Sequence, residues 1–154
     1  MYIFSSQTPL GKISITEQNG KITHLYFPKE KISTTYQRRE TPLLKEAFHQ
    51  LDLYFSGRLK TFSLPLAPSG TPFMQKVWNT LLTIPCWTTA SYKDIAGAIG
   101  NSKAMRAVWM ANNKNPIPVF IPCHRVIGRN WSLVGYWGWL DIKERLLEIE
   151  RTNK

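Results

Sequence analysis

Between residues 115 and 123 the chain reads Asn115-Pro116-Ile117-Pro118-Val119-Phe120-Ile121-Pro122-Cys123. Proline fixes φ and carries no amide donor, and the residue before it avoids the helical region. Neither a helix nor an interior strand is expected to run through this stretch, and Asn115-Pro116-Ile117-Pro118 reads as a rigid, extended entry to the cysteine segment. The apolar run Val119-Phe120-Ile121, held between Pro118 and Pro122, can bury. The connection leads into Cys123-His124-Arg125-Val126-Ile127-Gly128. Thiol chemistry needs the thiolate, and a neighbouring base or cation lowers the thiol pKa. A cysteine beside a histidine is by itself a weak signal, because a small buried cysteine next to a chance histidine is the commoner arrangement. The stiff, dry setting is what gives the pair weight.

The 154 residues can bury a core in one domain or two small ones, and 43% hydrophobic content excludes a disordered chain. The two cysteines, Cys86 and Cys123, cannot make a disulfide framework and fit a reducing compartment. Met1-Tyr2-Ile3-Phe4 gives way at once to Ser5-Ser6-Gln7, so no signal peptide is expected, and no apolar stretch approaches membrane length. The expected location is the cytoplasm, or the nucleus in a eukaryote. Twenty basic residues against ten acidic ones give +10 at pH 7, which favours an anionic partner, nucleic acid first and a membrane surface second. From Ala67 to Leu140 the basic residues are Lys76, Lys93, Lys103, Arg106, Lys114, Arg125 and Arg129, and Asp94 is the only acid. A generally soluble basic surface would account for the charge equally well.

The N-terminal third reads as strands over Met1–Gln7, Gly11–Gln18 and Lys21–Phe27, with Asn19-Gly20 as a hairpin turn. Pro28 to Glu40 reads as a loop. Thr41 is an N-cap with Pro42 at the first helical position, and Leu44, Ala47, Phe48, Leu51, Tyr54 and Phe55 make a helical stripe that Gly57 can close. Phe62, Leu64 and Leu66 alternate and predict one more strand. Leu66-Ala67-Pro68-Ser69-Gly70 is the boundary, dividing a sheet-and-helix domain, 1–66, from a second domain, 70–154.

Beyond it the pattern turns helical. Thr71-Pro72 repeats the cap-plus-proline start, with Phe73, Val77 and Leu81 on one face. Ser91-Tyr92-Lys93-Asp94 is a capping box with Ile95, Ala98 and Ile99 behind it. Gly100-Asn101 breaks that helix, and Ser102 can cap the next, which runs to about Asn112 with Ala104, Val108 and Ala111 inward and Arg106 exposed. Two short helices joined through a glycine resemble a helix-turn-helix, though an ordinary helical hairpin is the plainer reading. The last helix, about Leu140 to Arg151, puts Lys143, Leu146, Leu147 and Glu150 on one face. An acid on an apolar stripe wants a partner.

The stretch from Gly70 to Glu150 resembles the active-site domain of the O6-alkylguanine-DNA alkyltransferases, the methylated-DNA–protein-cysteine methyltransferases. Matching segments are Gly70-Thr71-Pro72-Phe73, Ser91-Tyr92 with Ile95-Ala96, Arg106-Ala107-Val108, Asn115-Pro116-Ile117-Pro118, Ile121 through Gly128, Gly135-Tyr136, and Lys143 with Leu146-Leu147 and Glu150. The N-terminal third is similar only in general plan. The resemblance implies an α+β chain: a small antiparallel sheet plus helix, then a helical, winged helix-turn-helix-like domain carrying the cysteine. It implies a monomer that binds duplex DNA, swings an alkylated guanine out of the stack and moves the alkyl group from O6 (or from O4 of thymine) onto Cys123, once per molecule and without a cofactor. By similarity His124 takes the thiol proton through a water and Glu150 holds the histidine. Asn115 stabilises the turn before the cysteine segment, and Tyr92 assists at the guanine. Arg106 fills the gap left in the duplex. Lys143, Tyr136 and Trp137 border the pocket, and the backbone near Val126 reads the base edge. Lys103, Ala104, Ala107 and Arg125 complete the expected DNA contacts.

Several positions that are small in the family are large here: Met105 and Trp109 beside Arg106, and Trp87, Trp131 and Trp139, while Trp137 falls on the pocket loop. Met105 and Trp109, four apart, are expected to pack together on the DNA face. Mutual repacking of the tryptophans is the bland account and an altered DNA approach the sharper one. The N-terminal third has no cysteine and only His24 and His49, so no four-ligand zinc site is expected there, nor any other metal. The main alternative function is a non-catalytic, alkyltransferase-like lesion-binding protein, which Cys123 argues against. A helix-turn-helix regulator and a cysteine hydrolase are weaker options.

Overall fold

The computed structural model describes residues 1–32, 35–128 and 140–153. The chain divides into two compact units, Met1–Pro68 and Ser69–Thr152. Among the described residues no helix is long and apolar enough to cross a membrane.

In the first unit the β-branched and aromatic runs form β1 (Tyr2–Thr8), β2 (Gly11–Gln18) and β3 (Lys21–Tyr26), each pairing antiparallel with the next. The β2–β3 turn has Asn19 and Gly20 both at positive φ, 55° and 75°, the geometry that matches the strands' twist. The expected loop contains a further short strand, β4 (Gln37–Arg38), lying parallel to β1 in a sheet of order β3-β2-β1-β4. The sheet is therefore not wholly antiparallel. The intervening loop is long enough to carry the chain back across the sheet to its far edge, which a tight turn cannot do.

The strand expected over Phe62–Leu66 does not form. Leu66 makes a single bridge to Ile22, through Ile22 N–H to Pro65 O (2.9 Å) and Ala67 N–H to Ile22 O (2.8 Å). Pro65 and Pro68 have no N–H, so the ladder cannot extend.

Helix α1 (Pro42–Phe55) begins where Thr41 Oγ1 accepts from Leu44 N–H at 3.1 Å. Leu44, Ala47, Phe48, Leu51 and Tyr54 are buried, as are Ile13, Ile15, Ile22 and Leu25 of the sheet, and Phe48 meets Phe4 edge-on. Gly57, at φ 79°, ends the helix, donating to Tyr54 O at 3.1 Å.

In the second unit α2 (Pro72–Leu81) is capped by Thr71 and buries Val77, Trp78 and Leu81, leaving Phe73 half-buried. The Trp78 indole N–H donates to Ala111 O at 2.9 Å. A Cβ at Gly70 would stand 2.4 Å from the Trp78 ring, so this corner requires glycine. Strand β5 (Ala90–Ser91) leads into α3 (Tyr92–Ala98), whose capping box is complete in both directions, Ser91 N–H to Asp94 at 2.9 Å and Asp94 N–H to Ser91 at 3.0 Å. Ile95 and Ala96 are buried, whereas Ala98, expected inside, is exposed.

Ser102 does not cap α4 (Met105–Asn113); the N-cap position is Ala104, which has no side-chain acceptor. Asn101 organises the turn instead, its carbonyl accepting from Ala104 N–H at 3.0 Å and its side chain from Lys103 N–H at 3.3 Å. Strand β6 (Val126–Ile127) pairs parallel with β5, and α5 (Leu140–Thr152) closes the unit.

Thr41 couples sheet to helix: it caps α1 and its hydroxyl donates to the buried carboxylate of Glu17. Thr41→Ala is expected to lower stability by about 1–2 kcal/mol through loss of the cap, read as a lower denaturation midpoint. An unchanged midpoint would show that neither bond contributes.

Candidate active site

The proline-rich connection is closed on itself by Asn115. Its Nδ2 donates to Ile121 O at 2.9 Å and its Oδ1 accepts from Ile117 N–H at 3.0 Å, while Ile121 N–H reaches Ile117 O at 2.9 Å. This closure holds Val119 at φ 73°, a conformation that a β-branched residue adopts only under constraint. Pro122 (φ −80°, ψ 64°) makes an inverse γ-turn, closed by Cys123 N–H to Ile121 O at 2.7 Å. A single 3-10 turn then carries Cys123, His124 and Arg125, all buried. Asn112, on the inner side of α4, reaches from Nδ2 to Cys123 O at 3.4 Å. Asn112 thus ties the last turn of α4 to the cysteine turn, and Asn115 closes the connection between them.

From α5, Glu150 meets this turn. Its Oε2 is 2.6 Å from His124 Nε2 and accepts from Arg125 Nη2 at 2.9 Å, and its Oε1 accepts from Arg125 Nε at 2.9 Å. Arg125 Nη1 also donates to Ile84 O at 2.7 Å. Burial alone would push the Glu150 carboxyl up, but the hydrogen bond with His124 and the hydrogen bonds and charge of Arg125 overcome it and hold the group well below the usual carboxylate range. For His124 burial wins, and its pKa is lowered despite the hydrogen bond with Glu150. A neutral imidazole facing an ionised carboxylate must carry its proton on Nε2. His124 Nδ1 is then the basic atom, and it is buried with no hydrogen-bond partner among the described residues. Lys143, fully buried, donates from Nζ to Val126 O at 2.6 Å. Burial pushes its ammonium down to about 8, and the charge of nearby Cys123 pulls the other way.

The structure therefore brings Cys123, His124, Glu150, Asn115 and Lys143 into one buried cluster. Tyr92 opens α3 directly after the β5–β6 pairing of Ser91 with Ile127, with its hydroxyl shielded from solvent. Lys103, Met105, Arg106 and Ala107 are exposed, and Ala104 and Trp109 are half-buried. Arg125 departs from expectation. It is not a surface cation for DNA, because its guanidinium is buried and its donors are taken by Glu150 and Ile84. Of the backbone near Val126, expected to read a base edge, the Val126 carbonyl accepts from Lys143. Tyr136 and Trp137, together with Arg129, Trp131, Gly135 and Trp139, lie outside the described residues. Sequence reasoning missed Asn112, although a polar side chain on the inner face of α4 carried the same signal as Glu150 on α5.

The chain thus combines a small sheet-and-helix unit with a helical unit that presents a buried cysteine, histidine and glutamate. Residues 72–152 match the family described as 6-O-methylguanine DNA methyltransferase, DNA binding domain, and residues 1–68 match its ribonuclease-like domain. The chain is 49% identical over 160 residues to the constitutive methylated-DNA–protein-cysteine methyltransferase of Bacillus subtilis, covering 99% of this chain and 96% of that one. It is 45% identical to the corresponding protein of Methanosarcina mazei, covering 99% of each. Among solved structures, the O6-methylguanine methyltransferase of Mycobacterium tuberculosis superposes with a TM-score of 0.92 at 36% identity, over 99% of this chain and 94% of that one. The same protein in complex with DNA matches with a TM-score of 0.92 at 37% identity, over the same shares of the two chains. The chain belongs to the O6-methylguanine-DNA methyltransferase family.

Removing the guanidinium would leave the Glu150 carboxylate buried and half-paired. Arg125→Met is expected to cost about 3–5 kcal/mol, the usual penalty for breaking a buried pair from one side. Arg125→Lys, which cannot supply the bidentate fork, should recover only part of this. Chemical denaturation of the three proteins measures the order; equal stabilities would show that the pair is not structural.

Proposed function

We propose that the chain repairs DNA by moving an alkyl group from O6 of an extruded guanine to Cys123, once per molecule and with no cofactor. The observation that carries the reading is the buried series Glu150–His124–Cys123, with the Lys143 ammonium beside the thiol. Glu150 fixes the ring and its tautomer. Nδ1 of His124 accepts the thiol proton through a water, and Lys143 stabilises the thiolate that results. Sγ attacks the alkyl carbon, the carbon–O6 bond breaks, and its electron pair passes to the guanine, which takes up a proton. The thioether formed is stable, so the protein is consumed. A duplex base is out of reach inside the stack, and extruding it costs a few kcal/mol.

On this reading Tyr92 attends the extruded base, and Arg106 on the exposed side of α4 occupies the space the base leaves. Lys103, Ala107, Met105 and Trp109 flank it, with Ala104 at the helix start. Alkylated guanine in duplex DNA is the substrate. The protein acts as a monomer, and its location is the cytoplasm.

Incubation with a duplex carrying O6-methylguanine, followed by intact and peptide mass spectrometry, tests the reaction. Cys123 should gain one methyl group per protein and Cys86 none, and Cys123→Ala should abolish transfer. Methylation of Cys86, or transfer surviving the substitution, would contradict the assignment; tight lesion binding without transfer would favour the lesion-binding alternative.

A further inference from the structure

Helix α4 turns more apolar surface outward than a helix facing water needs. Val108, Ala111 and Asn112 point inward, so at 3.6 residues per turn Arg106 and Met110, one turn apart, form its outermost ridge. Met110 is 47% exposed and Met105, on the adjoining flank, 45%. Trp109, expected to share the outer face with Met105, is half-buried instead. Around the ridge, which Arg106 itself helps to form, stand the exposed cations Lys103 and Lys114, and no acidic residue occurs between Asp94 and Asp141. An exposed methionine set among cations fits a partner with a charged rim and an apolar interior. Duplex DNA is such a partner, with phosphates at the groove edges and stacked bases between them. The same helix also reaches the reaction site from its inner side, where Asn112 holds the carbonyl of Cys123.

We propose that Met110 is an apolar wedge that enters the minor groove, unstacks the base step next to the extruded guanine and so sets which sequence contexts are repaired fastest. The inference rests on the alkyl-transfer reading. Methionine suits such a wedge because it is unbranched, polarizable and long, and apolar side chains of this kind open base steps in other minor-groove binders. Unstacking is cheapest at pyrimidine–purine steps and dearest in stiff A-tracts. A protein that supplies the wedge should repair a lesion beside a flexible step faster than one embedded in an A-tract.

The test uses the full chain as wild type, Met110→Gln and Met110→Leu. Glutamine keeps the length and loses the apolar character; leucine keeps the apolar character. Duplexes carry O6-methylguanine beside either a TA step or an A-tract, with 2-aminopurine as the neighbouring base to report unstacking, and free O6-benzylguanine serves as the substrate that needs no groove. Wild type should repair the TA context about tenfold faster than the A-tract, and Met110→Gln should lose most of that ratio together with the 2-aminopurine signal. Met110→Leu should keep both, and all three proteins should react alike with O6-benzylguanine. A glutamine variant that retains ratio and signal would overturn the wedge, as would one that loses reactivity equally on duplex and free base. So would a ridge that binds anionic phospholipid vesicles in preference to duplex. If wild type left Cys123 unmodified throughout, the alkyl-transfer reading would fall, and the 2-aminopurine signal would still decide the wedge.

Discussion

One carboxylate organises the site. Glu150 is buried on α5, and a buried carboxylate is tolerable only when its charge is matched and its lone pairs are used. Arg125 does most of this, with two parallel N–H donors to the two oxygens, while its remaining arm is fixed on Ile84 O. Because Arg125 already balances the charge, His124 need not be protonated to satisfy Glu150; burial disfavours an imidazolium here, and the fields of Arg125 and Lys143 add to it. A histidine paired with a carboxylate alone would tend towards the cation. Here it stays neutral, donates from Nε2 and keeps Nδ1 as a base. The buried arginine is thus a positioning residue, acting through Glu150 on the tautomer and charge of its sequence neighbour.

The second requirement is a backbone that cannot drift. Three prolines remove conformational freedom from the approach to Cys123, and Asn115 and Asn112 supply the hydrogen bonds that those prolines cannot. The left-handed Val119 is the local cost of folding so short a connection back upon itself. In exchange the cysteine is delivered at the end of α4, so that the helix with the basic, acid-free exterior and the reactive thiol belong to one continuous piece of chain. Lys143 adds a cation from α5 whose ammonium is held only weakly against its burial.

What was legible in the sequence was what local chemistry decides. The Asn19-Gly20 hairpin, the Thr41-Pro42 and Thr71-Pro72 starts and the Ser91–Asp94 capping box each depend on a few adjacent residues, and each formed. Glu150 was legible for another reason: an acid on an apolar stripe must have a partner. Features set by distant pairing were not. β4 exists because β1 has an open edge, and the Phe62–Leu66 run stops at one bridge because prolines interrupt it. Arg125 reads as a DNA contact because sequence shows a charge without showing what neutralises it. Ser102 does not cap α4, because the N-cap position falls on Ala104 and the preceding turn is held by the backbone and side chain of Asn101.

The tautomer and charge of His124 are the most direct measure of this account. Nitrogen NMR of the ring, followed from pH 5 to pH 8 in wild type and in Arg125→Lys, reports both. The account predicts a neutral ring in wild type, protonated at Nε2 and titrating below the ordinary value of about 6.5. In Arg125→Lys, with the bidentate fork gone, the pKa should rise. A His124 that is an imidazolium at neutral pH, or that carries its neutral proton on Nδ1, would contradict the assignment of Nδ1 as the base and of Glu150 as the group that fixes it.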